Sequence, residues 1–167
     1  TRTPYRISFF GGGTDFPDYY NISNNGGVIS ASINKYCYIS LRELLPYFKH
    51  KHRLCYSKIE LVNNINEIEH PSAKAILNYF FEDKGLEIHY DGDVPARSGL
   101  GSSSAFTVGL IKAISDFKSD FKTKKQIVQD ALFIEQNILN EAVGSQDQVS
   151  VAYGGLNHIS FNKEKNF

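Results

Sequence analysis

The sequence predicts an α+β domain on three observations. Short β-rich segments fill the first half, amphipathic helical stretches share the second half with further strands, and no internal repeat or low-complexity linker interrupts the 167 residues. A chain of that length can bury a sizeable core, and its 41 % hydrophobic content fits a soluble globular protein.

Each element has its own signal. Tyr5–Phe10 is an aromatic and β-branched run ending in Gly11-Gly12-Gly13, a strand entering a tight turn. Val28–Ile33 and Tyr36–Leu41 read as two more strands, joined through Asn34-Lys35 as a hairpin. Arg53–Val62 holds one or two further strands. Pro71 opens a helix running to Phe81, because Pro in a first turn sacrifices no hydrogen bond. After Lys84-Gly85, Leu86, Ile88 and Tyr90 alternate with Glu87, His89 and Asp91, the pattern of a half-buried strand. Phe106, Leu110, Ile111 and Ile114 recur at helical spacing, and a helix from about Lys124 to Asn140 carries the stripe Ile127, Ala131, Ile134 and Ile138. Gly144-Ser145 interrupts it, Gln146–Tyr153 forms a short helix, and Gly154-Gly155 turns into a last strand, Leu156–Phe161.

Charge excludes some functions. The 18 basic and 18 acidic residues cancel, and the only basic run, Lys49-His50-Lys51-His52-Arg53, lacks interleaved aromatics and reads as a solvated loop tip between strands. Nucleic acid is therefore not an expected partner. No apolar run nears the roughly 18 to 20 residues that span a bilayer, and no signal peptide opens the chain, so no membrane partner and a cytoplasmic location are expected. Cys37 and Cys55 lie in strand-like contexts without metal-type spacing and read as buried free thiols. None of the five histidines is assigned a role. A start at Thr1 without Met and a stop soon after a strand suggest a piece of a longer protein.

Three stretches carry chemistry. Pro95-Ala96-Arg97-Ser98-Gly99-Leu100-Gly101-Ser102-Ser103-Ser104 places a glycine- and hydroxyl-rich loop before a helix. Glycines let backbone N–H groups approach an anion, and a helix start adds unpaired donors and a positive dipole end. The same residues also suit an ordinary loop with a Ser cap. Arg6 with Gly11-Gly12-Gly13-Thr14-Asp15 offers a turn against which a polar ligand can lie, with Asp15 as a hydroxyl acceptor or simply a turn residue. Glu135 is followed by Gly144-Ser145-Gln146-Asp147-Gln148. Glu135 sits opposite much of its helix's apolar stripe, where an exposed carboxylate is expected, and Asp147 fits a helix's first turn, where the dipole favours acids.

Together these stretches resemble the GHMP kinase superfamily, in order and residue by residue. Thr3-Pro4-Tyr5-Arg6 with Gly11 and Thr14-Asp15 is similar to its first motif in sugar kinases, Pro95–Ala105 to its second, and Gly144–Gln148 to the segment carrying the catalytic aspartate. The 12-residue step from Glu135 to Asp147 also fits the galactokinase pattern. Within the superfamily, Gly-Gly-Gly-Thr-Asp and Gly-Ser-Gln-Asp-Gln are most similar to the D-glycero-D-manno-heptose 7-phosphate kinases. Galactokinases carry Glu-His where this chain has Gly12-Gly13, which opens space for a larger or phosphorylated sugar.

The resemblance implies a ribosomal-protein-S5-domain-2-like fold, with residues 1–167 as the N-terminal, ATP-binding domain and a C-terminal domain elsewhere in the protein as its partner. It implies an ATP-dependent sugar 1-kinase acting on D-glycero-D-manno-heptose 7-phosphate, with an L-fucose, galactose or N-acetylhexosamine kinase as the runner-up. A non-catalytic sensor of sugar and nucleotide is the alternative of a different class. It further implies that Pro95 and Ser98–Ser104 wrap the ATP phosphates, and that Ser103 and Glu135 hold Mg²⁺. Asp147, beside Arg6, would take the proton of the anomeric hydroxyl, and Gly12, Gly13, Thr14 and Asp15 would hold the sugar. Adenine is expected near the segment from Tyr56 to Glu69.

Overall fold

The computed structural model describes residues 1–81, 84–163 and 167. Strand β1 (Arg2–Phe10) leads through the glycine turn to helix α1 (Pro17–Ser23) and then to β2 (Gly26–Glu43). Strands β3 (His52–Cys55) and β4 (Ile59–Val62), a 3-10 turn (Ile65–Glu67), helix α2 (Pro71–Phe80) and β5 (Leu86–Gly92) complete the first half. Helices α3 (Ser102–Phe117) and α4 (Lys124–Leu132), a π-helical turn (Phe133–Ile138), helix α5 (Gln146–Tyr153) and strand β6 (Leu156–Phe161) follow. The architecture is mixed α and β, as the sequence predicts.

The six strands form one sheet in the order β1-β2-β5-β3-β4, with β6 also on β2. All pairs are antiparallel except β3 with β5. The expected hairpin at Asn34-Lys35 does not form, because both halves belong to the single 18-residue strand β2. That strand is continuous because its edges have partners along its whole length. β1 runs beside it from Ile29 to Tyr38, while β6 takes Gly26–Ala31 and β5 takes Cys37–Glu43. Polar residues in mid-strand therefore do not mark a turn when tertiary pairing supplies the ladder.

Helix α1 was not expected, although its signals are local. Pro17 stands in its first turn and Asn24 ends it in the left-handed region at φ 54°. The predicted helix over 124–140 is α-helical only to Leu132 and then widens, as the N–H of Leu139 donates to the carbonyl of Ile134 at 2.9 Å, an i to i−5 bond.

Helices α3 and α5 lie on β1 and β2. The main core fills that interface, with Tyr5, Ile39, Ile76, Leu77, Leu110, Ile111 and Ile114 buried. A second cluster joins Tyr20, Val28, Val128, Leu132, Val149, Ile159 and Phe161 under α1 and α4. The other face of the sheet carries Ile29, Tyr38 and Leu156, all exposed. Cys37 is buried, and desolvation pushes its thiol up to about 12; Cys55 is only half-buried, and both are free. Of the basic run, His52 and Arg53 belong to β3 rather than to a loop tip, and Arg53 reaches Glu87. No helix among the described residues is long and apolar enough to cross a membrane.

Two buried carboxylates lie in the β5-β3-β4 half of the sheet, Glu60 on the edge strand β4 and Glu87 on the interior strand β5. Glu60 accepts from the Tyr56 hydroxyl (2.6 Å) and the backbone N–H of Glu69 (2.6 Å) and His70 (3.2 Å). Burial raises its pKa, but these bonds outweigh that effect and leave it below the usual carboxylate value. Glu87 is lowered too, by His89 first, against the opposing effect of burial, and then by Arg42 and Arg53. A lowered folded-state pKa contributes stability that is complete above the unfolded value near 4.5 and is lost as pH falls through the folded one. Glu60→Gln should therefore lower Tm at pH 7, and the gap from the wild type should narrow as pH falls below about 4.5, read by thermal melts across pH.

Candidate active site

The site lies where the ends of β1, α3 and α5 meet. Arg6 is its centre. Its Nε donates to Asp147 Oδ1 at 2.7 Å and its Nη2 to Oδ2 at 2.6 Å, a bidentate pair, while Nη1 donates to the Gly99 carbonyl at 2.7 Å. Its backbone N–H donates to the Leu100 carbonyl at 3.0 Å. One residue thus binds the glycine loop and the expected base together. Beside it, the Ser8 hydroxyl donates to Gln146 Oε1 at 2.8 Å.

Arg97, Gly99 and Gly101 take φ of 62°, 76° and 74°, so left-handed positions fall at alternate residues, the backbone pattern from which anion-binding nests are made. Gly101 caps α3 without any side-chain bond, leaving Ser102, Ser103 and Ser104 in the first turn, so a Ser cap is not what the glycine loop provides. A Cβ at Gly101 would stand 3.2 Å from Arg6 Cγ, in addition to the cost of its left-handed backbone. Pro95, Ser98 and Gly99 are exposed on this loop, and Leu100 packs against the core.

Glu135 departs from expectation. It is 1 % exposed: lying seven, four and three residues after Val128, Ala131 and Leu132, it shares their buried face of the helix, while Ile138 at the end of the π turn is exposed. Its Oε2 accepts from the Ser104 hydroxyl at 3.1 Å and from the Gln148 amide; its Oε1 is buried without a hydrogen-bond partner. Burial raises its carboxyl above the ordinary value, against the lowering effect of Gln148, Thr107 and Ser104. Ser104 meets the carboxylate directly, and Ser103, beside it in the first turn of α3, is exposed.

The turn after β1 divides in the same way. Gly12 and Gly13 are exposed, with open space where a Cβ would stand. The Thr14 hydroxyl donates to the carbonyls of Gly11 (2.8 Å) and Gly27 (3.1 Å) and accepts from the Gly27 N–H, pinning the turn to β2. Asp15 is 0 % exposed, and its carboxylate accepts from the backbone N–H groups of Gly13 and Gln146.

A cavity of about 390 Å³ opens beside the loop, lined by His70, Tyr90, Arg97, Ser102, Ser103 and Phe106 among others. His70 stacks on Phe106 at 4.6 Å, with Tyr90 edge-on to Phe106 and Tyr56 edge-on to His70. His70 also accepts from the Ala73 N–H and so caps α2, a role that His directly before Pro71 signals locally. The sequence gives no site role to His70, Tyr90, Phe106 or Thr107, and it offers Ser104 for the phosphates and Gln148 within the third motif without their contacts to Glu135. Only the tertiary arrangement assembles them.

Comparison with known proteins follows the same outline. Residues 68–155 match the GHMP kinases N terminal domain. The chain is 31 % identical to the D-glycero-alpha-D-manno-heptose 7-phosphate kinase of Campylobacter jejuni, over 99 % of this chain and 51 % of that one. It is 25 % identical to the galactokinase of Thermotoga petrophila, over 96 % and 45 %. The fold superposes on the crystal structure of a D-glycero-D-manno-heptose 1-phosphate kinase from Bacteroides thetaiotaomicron with a TM-score of 0.82 and 28 % identity, covering 99 % of this chain and 56 % of that one. The chain belongs to the GHMP kinase family. It spans about half the length of the relatives it matches.

The buried charge of Glu135 has a cost that can be measured. A raised folded-state pKa means that the ionised form destabilises the fold above the ordinary carboxylate range and costs nothing below it. Glu135→Gln keeps an oxygen for Ser104 and Gln148. It should raise Tm at pH 7, by about 2–4 °C for each kcal/mol recovered, and the gain should vanish below about pH 4.5.

Proposed function

We propose that this chain is the N-terminal half of an ATP-dependent sugar kinase that phosphorylates the anomeric hydroxyl of a sugar, with D-glycero-D-manno-heptose 7-phosphate as substrate. The observation that carries this reading is the Arg6 bridge. Phosphoryl transfer depends on positioning and charge stabilisation more than on covalent chemistry, and Arg6 locks the phosphate cradle and the Asp147 carboxylate into one unit.

In this reading the N–H groups of Ser98–Ser104 bind the ATP phosphates, and the aromatic cavity of His70, Tyr90 and Phe106 receives the base. That cavity adjoins the Tyr56–Glu69 segment through Tyr56 and His70. The sugar lies along Gly12 and Gly13, where the open space suits a substrate larger than galactose. Asp147 accepts the proton of the anomeric hydroxyl as that oxygen bonds to the γ-phosphorus and ADP departs. Arg6 stabilises charge on the phosphoryl group while holding Asp147 in place.

The residues suit Mg²⁺. Glu135 has a buried carboxylate oxygen without a partner, and hydroxyls of the first turn of α3 flank it, which is the hard oxygen set this ion prefers. Glu135 would hold the ion with Ser104 or Ser103, and the ion would neutralise charge on the phosphate oxygens. A C-terminal domain would close the site, in keeping with the share of the relatives' length that the chain spans.

The test is ADP release by the full-length protein with Mg-ATP and a sugar panel containing the heptose 7-phosphate, galactose and L-fucose. The heptose 7-phosphate should give the highest kcat/KM, and Asp147→Asn should remove turnover by several orders of magnitude while ATP still binds. Binding of ATP and sugar with no turnover of any would instead support a sensor.

A further inference from the structure

The Gln148 side chain is wholly enclosed and spans the space between α5 and the π turn. Its Nε2 donates to Glu135 Oε2, the same oxygen that accepts from the Ser104 hydroxyl at 3.1 Å. Its own Oε1 is buried without a hydrogen-bond partner, and so is Glu135 Oε1. Two donors therefore converge on one carboxylate oxygen and none on the other. The chemistry sets the direction of the amide, because the reverse orientation would put its carbonyl oxygen against an ionised carboxylate with no proton between them.

Packing alone does not account for this side chain. A buried amide oxygen without a partner costs free energy, and a methionine of nearly the same length would fill the space without that cost. The neighbouring residue supplies a reason. Asp147 meets Arg6 and Gln148 meets Glu135, so the first turn of α5 carries one acid of the site and holds the other through an amide. Carboxylates that bind metal ions are themselves hydrogen-bonded by surrounding groups, which fix their orientation.

We infer that Gln148 is a positioning residue for the divalent cation: together with Ser104 it binds Glu135 Oε2, fixes the rotation of the carboxylate and so reserves Oε1 for the ion. This rests on the reading of Glu135 as an ion ligand. Gln148 acts on the ion only through Glu135, and its effect is confined to nucleotide that carries the cation.

The test compares the full-length protein with its Gln148→Met variant, and reads the Kd for ATP by calorimetry in excess Mg²⁺ and again in EDTA. By linkage, the ratio of the EDTA value to the Mg²⁺ value is the factor by which the protein tightens Mg²⁺ on the nucleotide. Removing a hydrogen-bond partner of a metal ligand costs about 10–100-fold in metal affinity, so Gln148→Met should cut this ratio about tenfold or bring it to about one. The Kd in EDTA should stay within about threefold of wild type. A merely structural role would weaken both Kd values together, and that result, or an unchanged ratio, overturns the inference. Should Gln148→Met fail to fold, Gln148→Asn keeps an amide but withdraws it by one methylene, and an unchanged ratio in that variant overturns the inference as well. Glu135→Gln separates this from the parent reading. A ratio lost in Glu135→Gln but kept in Gln148→Met removes the positioning role alone, and a wild-type ratio in Glu135→Gln removes the ion ligand and the positioning role with it.

Discussion

The site depends on one guanidinium. Arg6 joins a strand to a loop 93 residues away and a helix 141 residues away, using three of its nitrogens on an aspartate and a carbonyl. A bidentate arginine–carboxylate pair is directional as well as strong, and both side chains here are largely shielded from solvent. The sheet makes this possible. β1 lies against the 18-residue β2 for most of its length, so the end of β1 that carries Arg6 and Ser8 is fixed relative to α3 and α5, which pack on the same two strands.

The second constraint is the widened turn after α4. Regular helical spacing places Glu135 on the same face as Val128, Ala131 and Leu132, all buried, and the i to i−5 turn from Phe133 to Ile138 ends with Ile138 at the surface. The result is a carboxylate held among Ser104, Thr107 and Gln148, with one oxygen left unsatisfied. Such an arrangement costs stability in the isolated domain, and costs of this kind collect where a protein binds a partner or an ion. Gln148 makes the arrangement coherent, because it adjoins Asp147 on α5 and its amide reaches Glu135, linking the two acids through one helix turn.

Legibility in the sequence followed the range of the interactions. The strand after Gly85, the α3 stripe and the short helix before Gly154 were readable because period and punctuation are local. Motif order offered the loop, Arg6, Glu135 and Asp147 as site candidates, and the fold brings Arg6, Asp147 and the loop into contact. Asn34-Lys35 misled because a polar pair in mid-strand looks like a turn until β1, β5 and β6 are seen to flank it. The Ser104–Glu135 hydrogen bond was not legible, because a motif specifies position along the chain and not the angle around the helix.

By itself the sequence determined the α+β class, the elements with strong periodicity and the family-type order of the three motifs, because each is encoded within a few residues or in linear succession. Only the tertiary structure decided which oxygens are available. The Asp15 carboxylate accepts from the amides of Gly13 and Gln146, the second of them 131 residues away. Glu135 reads as exposed against the stripe Ile127, Ala131, Ile134 and Ile138, and is buried on the face that Val128, Ala131 and Leu132 share. Burial and hydrogen-bond saturation depend on residues more than a hundred positions apart, and that information exists only once the chain has folded.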